Sequence, residues 1–141
     1  MWPQTLERES ATFTLTFDGT GTVPSTKVTT TAHYVKTGKM VFIHFTASNL
    51  NFTGYAGGGI RMTGLPFAPD TTIGEQVGTI HSVNFKVNNY HADDGFVAVA
   101  TYDATHGNHI TVLSEQVSNL THYITNTTGA SVVISITYIA E

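Results

Sequence analysis

The sequence predicts an all-β chain: an antiparallel β-sandwich, jelly-roll-like, of about eight or nine strands. Three observations predict it. Apolar residues recur with a period of two, the mark of strands that bury one face. Clusters of Gly, Asn, Asp and Pro punctuate the chain at short intervals. Threonine, with 25 copies, is the commonest residue, and a β-branched side chain that also bonds water suits the wet side of a sheet. No repeat of fixed period is present, which argues against a propeller or β-helix. The 141 residues form one domain, 1–141, with 1–10 as an extended lead-in. A chain of this length buries roughly two thirds of its surface and needs no metal or disulfide staple.

The elements follow in order. From Ala11 to Phe17 the alternation is strict, with Phe13, Leu15 and Phe17 on one face and Thr12, Thr14 and Thr16 on the other. Lys27 to Val35 is rich in β-branched residues, and Lys36 to Lys39 reads as a polar turn. In Met40 to Ala47 both faces are largely apolar: Val41, Ile43, Phe45 and Ala47 against Met40, Phe42, His44 and Thr46. Such a strand is covered on both sides or lies at a subunit contact. Further strands are expected at Gly59–Thr63, Gly78–Val87, Phe96–Asp103, His109–Leu113, His122–Thr125 and Val132–Ile139. Leu113 to Leu120 is short and polar and reads as a loop or irregular edge.

Composition excludes several functions. Six Lys+Arg against ten Asp+Glu give a net charge of −4, and only 11% of residues are charged. The six cations are scattered, so neither a nucleic-acid footprint nor a polybasic membrane anchor is available. No apolar run approaches the roughly 18 residues of a membrane span, and no signal peptide follows Met1. Without cysteine there is no disulfide, thiolate nucleophile or Cys-based zinc site.

No active site is legible, and the chain reads as non-enzymatic. A glycosidase needs two carboxyl groups facing across a cleft, whereas Asp93 and Asp94 are adjacent turn formers and Glu75, Asp103 and Glu115 stand alone. There is no Gly-x-Ser-x-Gly elbow. Gly57, Gly58 and Gly59 precede a strand and make no phosphate loop. His106 with His109, and His91 beside Asp93 and Asp94, are metal-ligand types. No His-x-His on a strand face and no helical His-x-x-x-His accompanies them, so they read as solvated loop histidines. No metal and no cofactor is expected. A symmetric trimer would triple a single axial histidine, His33 or His44.

Tyr34, Lys36, Gly38, Val41 and Ile43 form a strand-turn-strand that resembles one found in bacteriophage tail-fibre and virion structural domains. Thr63-Gly64-Leu65-Pro66-Phe67 is similar to the Gly-Leu-Pro-Phe segment of that group, and Trp2-Pro3-Gln4-Thr5-Leu6 to its opening residues. The three stretches cover the first half of the chain; the second half, from about Gly78, carries no matching motif. The resemblance implies a homotrimeric domain at the tip of a phage fibre, on the virion and outside the cell. Its task would be recognition of a bacterial cell-surface glycan or outer-membrane receptor, without membrane insertion. Leu65 and Phe67 are expected to plug one end of the sandwich, with Gly64 making the turn.

Binding is expected in the loops Asn88–Gly95 and Ala104–Asn108, with Tyr55 from the Gly-rich loop. Shallow sugar sites combine a stacking ring with planar hydrogen-bonding groups. The candidates are therefore Tyr55, Tyr90, His91, Asp93, Asp94, His106, Asn108 and His109. Rival readings keep the fold: a structural module that trimerises a fibre or decorates a capsid, or a monomeric carbohydrate-binding module. An enzyme such as a capsule depolymerase ranks last.

Overall fold

Period-two patterning becomes strand wherever a predicted segment lies among the residues described by the structure, a computed structural model covering residues 7–19, 23–55, 60–74, 76–83, 96–104, 107–114 and 128–141. The strands are β1 (Arg8–Gly19), β2 (Thr29–Thr37), β3 (Met40–Asn51), β4 (Ile60–Thr63), β5 (Gln76–Val83), β6 (Phe96–Asp103), β7 (Gly107–Ser114) and β8 (Thr128–Ile139). A single 3-10 turn, Thr71–Ile73, is the only helix among them. The expected strand His122–Thr125 lies outside the described residues, as does the stretch from Leu113 onward beyond Ser114.

All pairings are antiparallel, and the strands close into a barrel in the order β1-β2-β3-β8-β5-β6-β7-β4. This corrects the expected sandwich. A sandwich stacks two separate sheets, each with two edges, whereas here every described strand has a partner on both sides. Closure removes the edges that would otherwise template aggregation. The order resolves into two Greek keys, β4-β1-β2-β3 and β8-β5-β6-β7, in which the fourth strand returns beside the first. The keys meet at a long seam, β3–β8, running from Met40↔Ile139 to Asn51↔Thr128. A short seam, β4–β7, has only the pairs Arg61↔Thr111, Met62↔Ile110 and Thr63↔His109.

The interior is apolar because one parity of each strand points inward. Leu15 and Phe17 of β1, Val41, Ile43 and Phe45 of β3, Met62 of β4, Ile110 of β7 and Ile134 and Ile136 of β8 are all buried. Burying one such side chain stabilises the fold by about 1.5–3 kcal/mol. Phe52 packs edge-on against both Phe17 and Tyr55, with ring centroids 5.3 Å apart in each pair.

The two ends of the barrel differ. At one end the connections are the tight β2–β3 turn, the short β6–β7 turn and the segment 64–75. At the other end residues 20–28, 52–59, 84–95 and 115–127 link β1 to β2, β3 to β4, β5 to β6 and β7 to β8. Segment 64–75 is stitched down. Gly64 and Leu65 both donate their N–H to the Asn108 carbonyl, at 3.2 and 3.3 Å. Leu65 is buried, and Phe67 packs edge-on against Tyr34 at 5.2 Å, with the Lys36 ammonium over its ring. The Tyr138 hydroxyl donates to the Phe67 carbonyl at 2.9 Å. The Gln76 amide donates to the carbonyls of Asp70 and Ile139, and its oxygen accepts from the Ile139 N–H. Leu65 and Phe67 thus close this end as the sequence suggests.

Candidate recognition surfaces

Of the eight residues expected to bind, the structure describes three: Tyr55, Asn108 and His109. Strand β6 separates the two loops: residues 88–95 join the chain to its start at Phe96, residues 104–106 follow its end at Asp103, and those ends stand about 24 Å apart. Tyr90, His91, Asp93, Asp94 and His106 lie outside the described residues. The other three are placed, and two of them correct the expectation.

Tyr55 is 1% exposed, part of the core and not of a binding loop. Its hydroxyl donates to the Phe17 carbonyl at 2.7 Å and accepts the Val28 N–H at 2.9 Å. Both roles of the oxygen are used, so the ring and its hydroxyl tie β1 to the start of β2. Desolvation raises its pKa, because ionisation would put a charge in the core. His109 is also buried, at 3%. Its Nδ1–H donates to the Gly107 carbonyl at 2.9 Å, and the ring offers no open face.

Asn108 remains at the surface, half-buried. Its carbonyl anchors Gly64 and Leu65, and across the β6–β7 ladder it stands opposite Tyr102. Tyr102 is 51% exposed, so it is the described tyrosine that offers a ring to solvent beside an amide residue. The sequence offers Tyr102, with Tyr55, Tyr90, Tyr123 and Trp2, as a ring beside polar segments, but a tyrosine within Phe96–Asp103 reads more readily as packing on the rim of the fold. The signal was its position two residues before a turn, where a strand leaves the barrel wall.

A second surface lies on the outer flank of β2, β3, β8 and β5. Met40 is 54% exposed, Phe42 43% and Val77 51%. Val35 and Thr137 stand opposite Phe42 on the two neighbouring strands, and Ile139 opposite Met40. Among the described residues no charged side chain occupies an outward position on these four strands. Exposed apolar side chains set among threonines, without charge, make a surface that a partner can cover.

Charge collects elsewhere. Glu7, Arg8, Glu9, Lys36 and Gly38 line a groove of about 410 Å³. At the other end of β1, Lys27 pairs with Asp18 at 3.2 Å, and Arg61 stands across from Asp18 on β4. The Arg61 Nε and Nη1 are buried and have no hydrogen-bond partner among the described residues. No three His, Asp or Glu side chains among the described residues converge on a point that would hold a metal. Among known proteins, no family model matches this chain, and no curated sequence is similar to it.

Proposed function

We propose that the chain is the receptor-binding tip of a homotrimeric phage tail fibre, a non-enzymatic virion domain that attaches to a bacterial surface glycan or outer-membrane receptor. The observation that carries this reading is the asymmetry of the barrel: the connections 20–28, 52–59, 84–95 and 115–127 all join strands at one end, and segment 64–75 is stitched down over the other. A rigid strand scaffold with its long loops at one end is a recurrent way to build a recognition surface. Val83 and Phe96, between which Tyr90, His91, Asp93 and Asp94 fall in sequence, stand at that end. The pair Tyr102 and Asn108 forms a smaller candidate at the opposite end.

The apolar flank around Met40 and Phe42 supports the assembly half of the reading, since a closed cyclic oligomer would cover it. Threonine and serine share the outer wall with the exposed Met40, Phe42 and Val77, and the interior is apolar, which differs from the apolar band and polar interior of a lipid-facing barrel. Resemblance in Tyr34–Ile43 and Gly64–Phe67 supplies the phage assignment. A purely structural trimerising or capsid-decorating module would use the same flank. The jelly-roll description survives here only as the relation of two Greek keys.

The test has two parts. Light scattering behind a sizing column is expected to give a mass near three chains. The purified protein is expected to compete with phage for adsorption to host cells, and Tyr90→Ala with Asp93→Ala to abolish that competition. A trimer that does not compete would assign the structural module. A single-chain mass would remove the fibre reading and favour a monomeric carbohydrate-binding module.

A further inference from the structure

Strands β2 and β3 place two histidines, eleven positions apart in sequence, directly opposite each other: His33 pairs with His44 in the ladder. Both side chains are exposed on the outer flank. Directly opposite residues of an antiparallel pair hold their Cβ atoms about 4.5–5.5 Å apart, and both side chains stand off the same face. Two imidazoles at that spacing can lean together and present two nitrogens to one ion. One of them is already oriented. The Nδ1 of His44 lies 2.7 Å from the Ser135 hydroxyl, on the neighbouring strand β8. When Nδ1–H donates to that oxygen, Nε2 keeps its lone pair and points away from Ser135, the arrangement by which an outer hydrogen bond prepares a metal-ligating imidazole.

From this geometry we infer that His33 and His44 form a two-imidazole chelate for a late first-row divalent ion, with Ser135 as the positioning residue. Imidazole is a borderline ligand that suits nickel, copper and zinc, and affinity should follow the order that peaks at copper. The same row carries Thr12 beside His33 and Thr79 beyond Ser135, so no cation competes for the place. The remaining coordination positions face outward and take water or a donor from another molecule. This site does not depend on the fibre reading, and a protein that proves monomeric would hold it equally.

The experiment titrates the full chain with Ni²⁺ alone by calorimetry, beside His33→Gln, His44→Gln, Ser135→Ala and, as a control, His106→Gln. One ion per chain is expected. Either of the first two substitutions should weaken binding at least ten-fold, Ser135→Ala by about ten-fold, and His106→Gln should leave it unchanged. Cu²⁺ bound to the unsubstituted protein should show two equivalent nitrogen ligands by electron paramagnetic resonance, a readout that needs no variant to fold. Absence of Ni²⁺ binding at millimolar concentration would overturn the inference. So would binding that survives in both histidine variants, or a copper spectrum without imidazole nitrogen.

Discussion

A β-carbon added to Gly78 would lie 2.6 Å from the Ile136 Cβ and 2.5 Å from the Ser135 carbonyl oxygen, because β5 presses its backbone onto β8 at that point. At Gly64 the φ of +105° is joined by the Thr14 carbonyl oxygen 2.8 Å from where a Cβ would sit. Gly74 has a similar φ, +92°, but nothing within 4 Å. Alanine at 78 or 64 should therefore cost about 1–3 kcal/mol by overpacking against backbone that cannot yield, and alanine at 74 less. Thermal unfolding of the three variants ranks them. Tyrosines set a second expectation. Burial raises the pKa of both Tyr138 and Tyr55 above the ordinary value of 10.0. The folded state therefore keeps protons that the unfolded chain releases, and stability is complete below pH 10 and falls as pH rises beyond it. Urea unfolding between pH 9 and 12 should show that fall, and Tyr138→Phe should make it shallower. At this scale Gly64, Leu65 and Phe67 were legible, since the order Gly-Leu-Pro-Phe encodes a turn and two plugs. Tyr55 was not: a tyrosine beside glycines looks like an exposed loop residue until its hydroxyl is seen bridging Phe17 and Val28.

Among the elements, the β2–β3 hairpin shows what a sequence discloses when a turn is short. Thr37↔Met40 closes around Gly38 and Lys39, and a two-residue turn fixes every later pair. His33↔His44 followed from that turn, yet each histidine was weighed singly, as one that a trimer axis would triple. The doubly apolar pattern of β3 was legible, and its inner half is the core. Its outer half predicts a behaviour. Phe42→Ser should cost the folded single chain no more than about 0.5 kcal/mol, as surface changes do, while shifting the light-scattering mass toward one chain. A large loss of stability with unchanged mass would count against the flank as an interface. Long connections were less legible, since a loop's sequence says little about which end of a barrel it leaves. That information sits in strand order, which depends on pairings between residues far apart.

At the level of the whole molecule, closure was the feature the sequence could not disclose. Alternation is the same in a sandwich and a barrel, and only the β3–β8 and β4–β7 pairings distinguish them. The two seams should differ in stability. The short one relies on three facing pairs and the bonds of Gly64 and Leu65 to Asn108, so local opening should begin there. Hydrogen exchange should release the amides of Met62 and Ile110 before those of Ile43 and Ile136, and the reverse order would refute the ranking. Segment 64–75 is the sole covalent link between the two Greek keys, and it contributes no strand to the wall. A protease nick at exposed Gly74 would therefore sever the polypeptide without cutting a single ladder. The product should run as two pieces in denaturant and travel as one particle in native buffer, its halves held together by the two seams and by the bonds of residues 64–70 to Asn108, Tyr138 and Ile139.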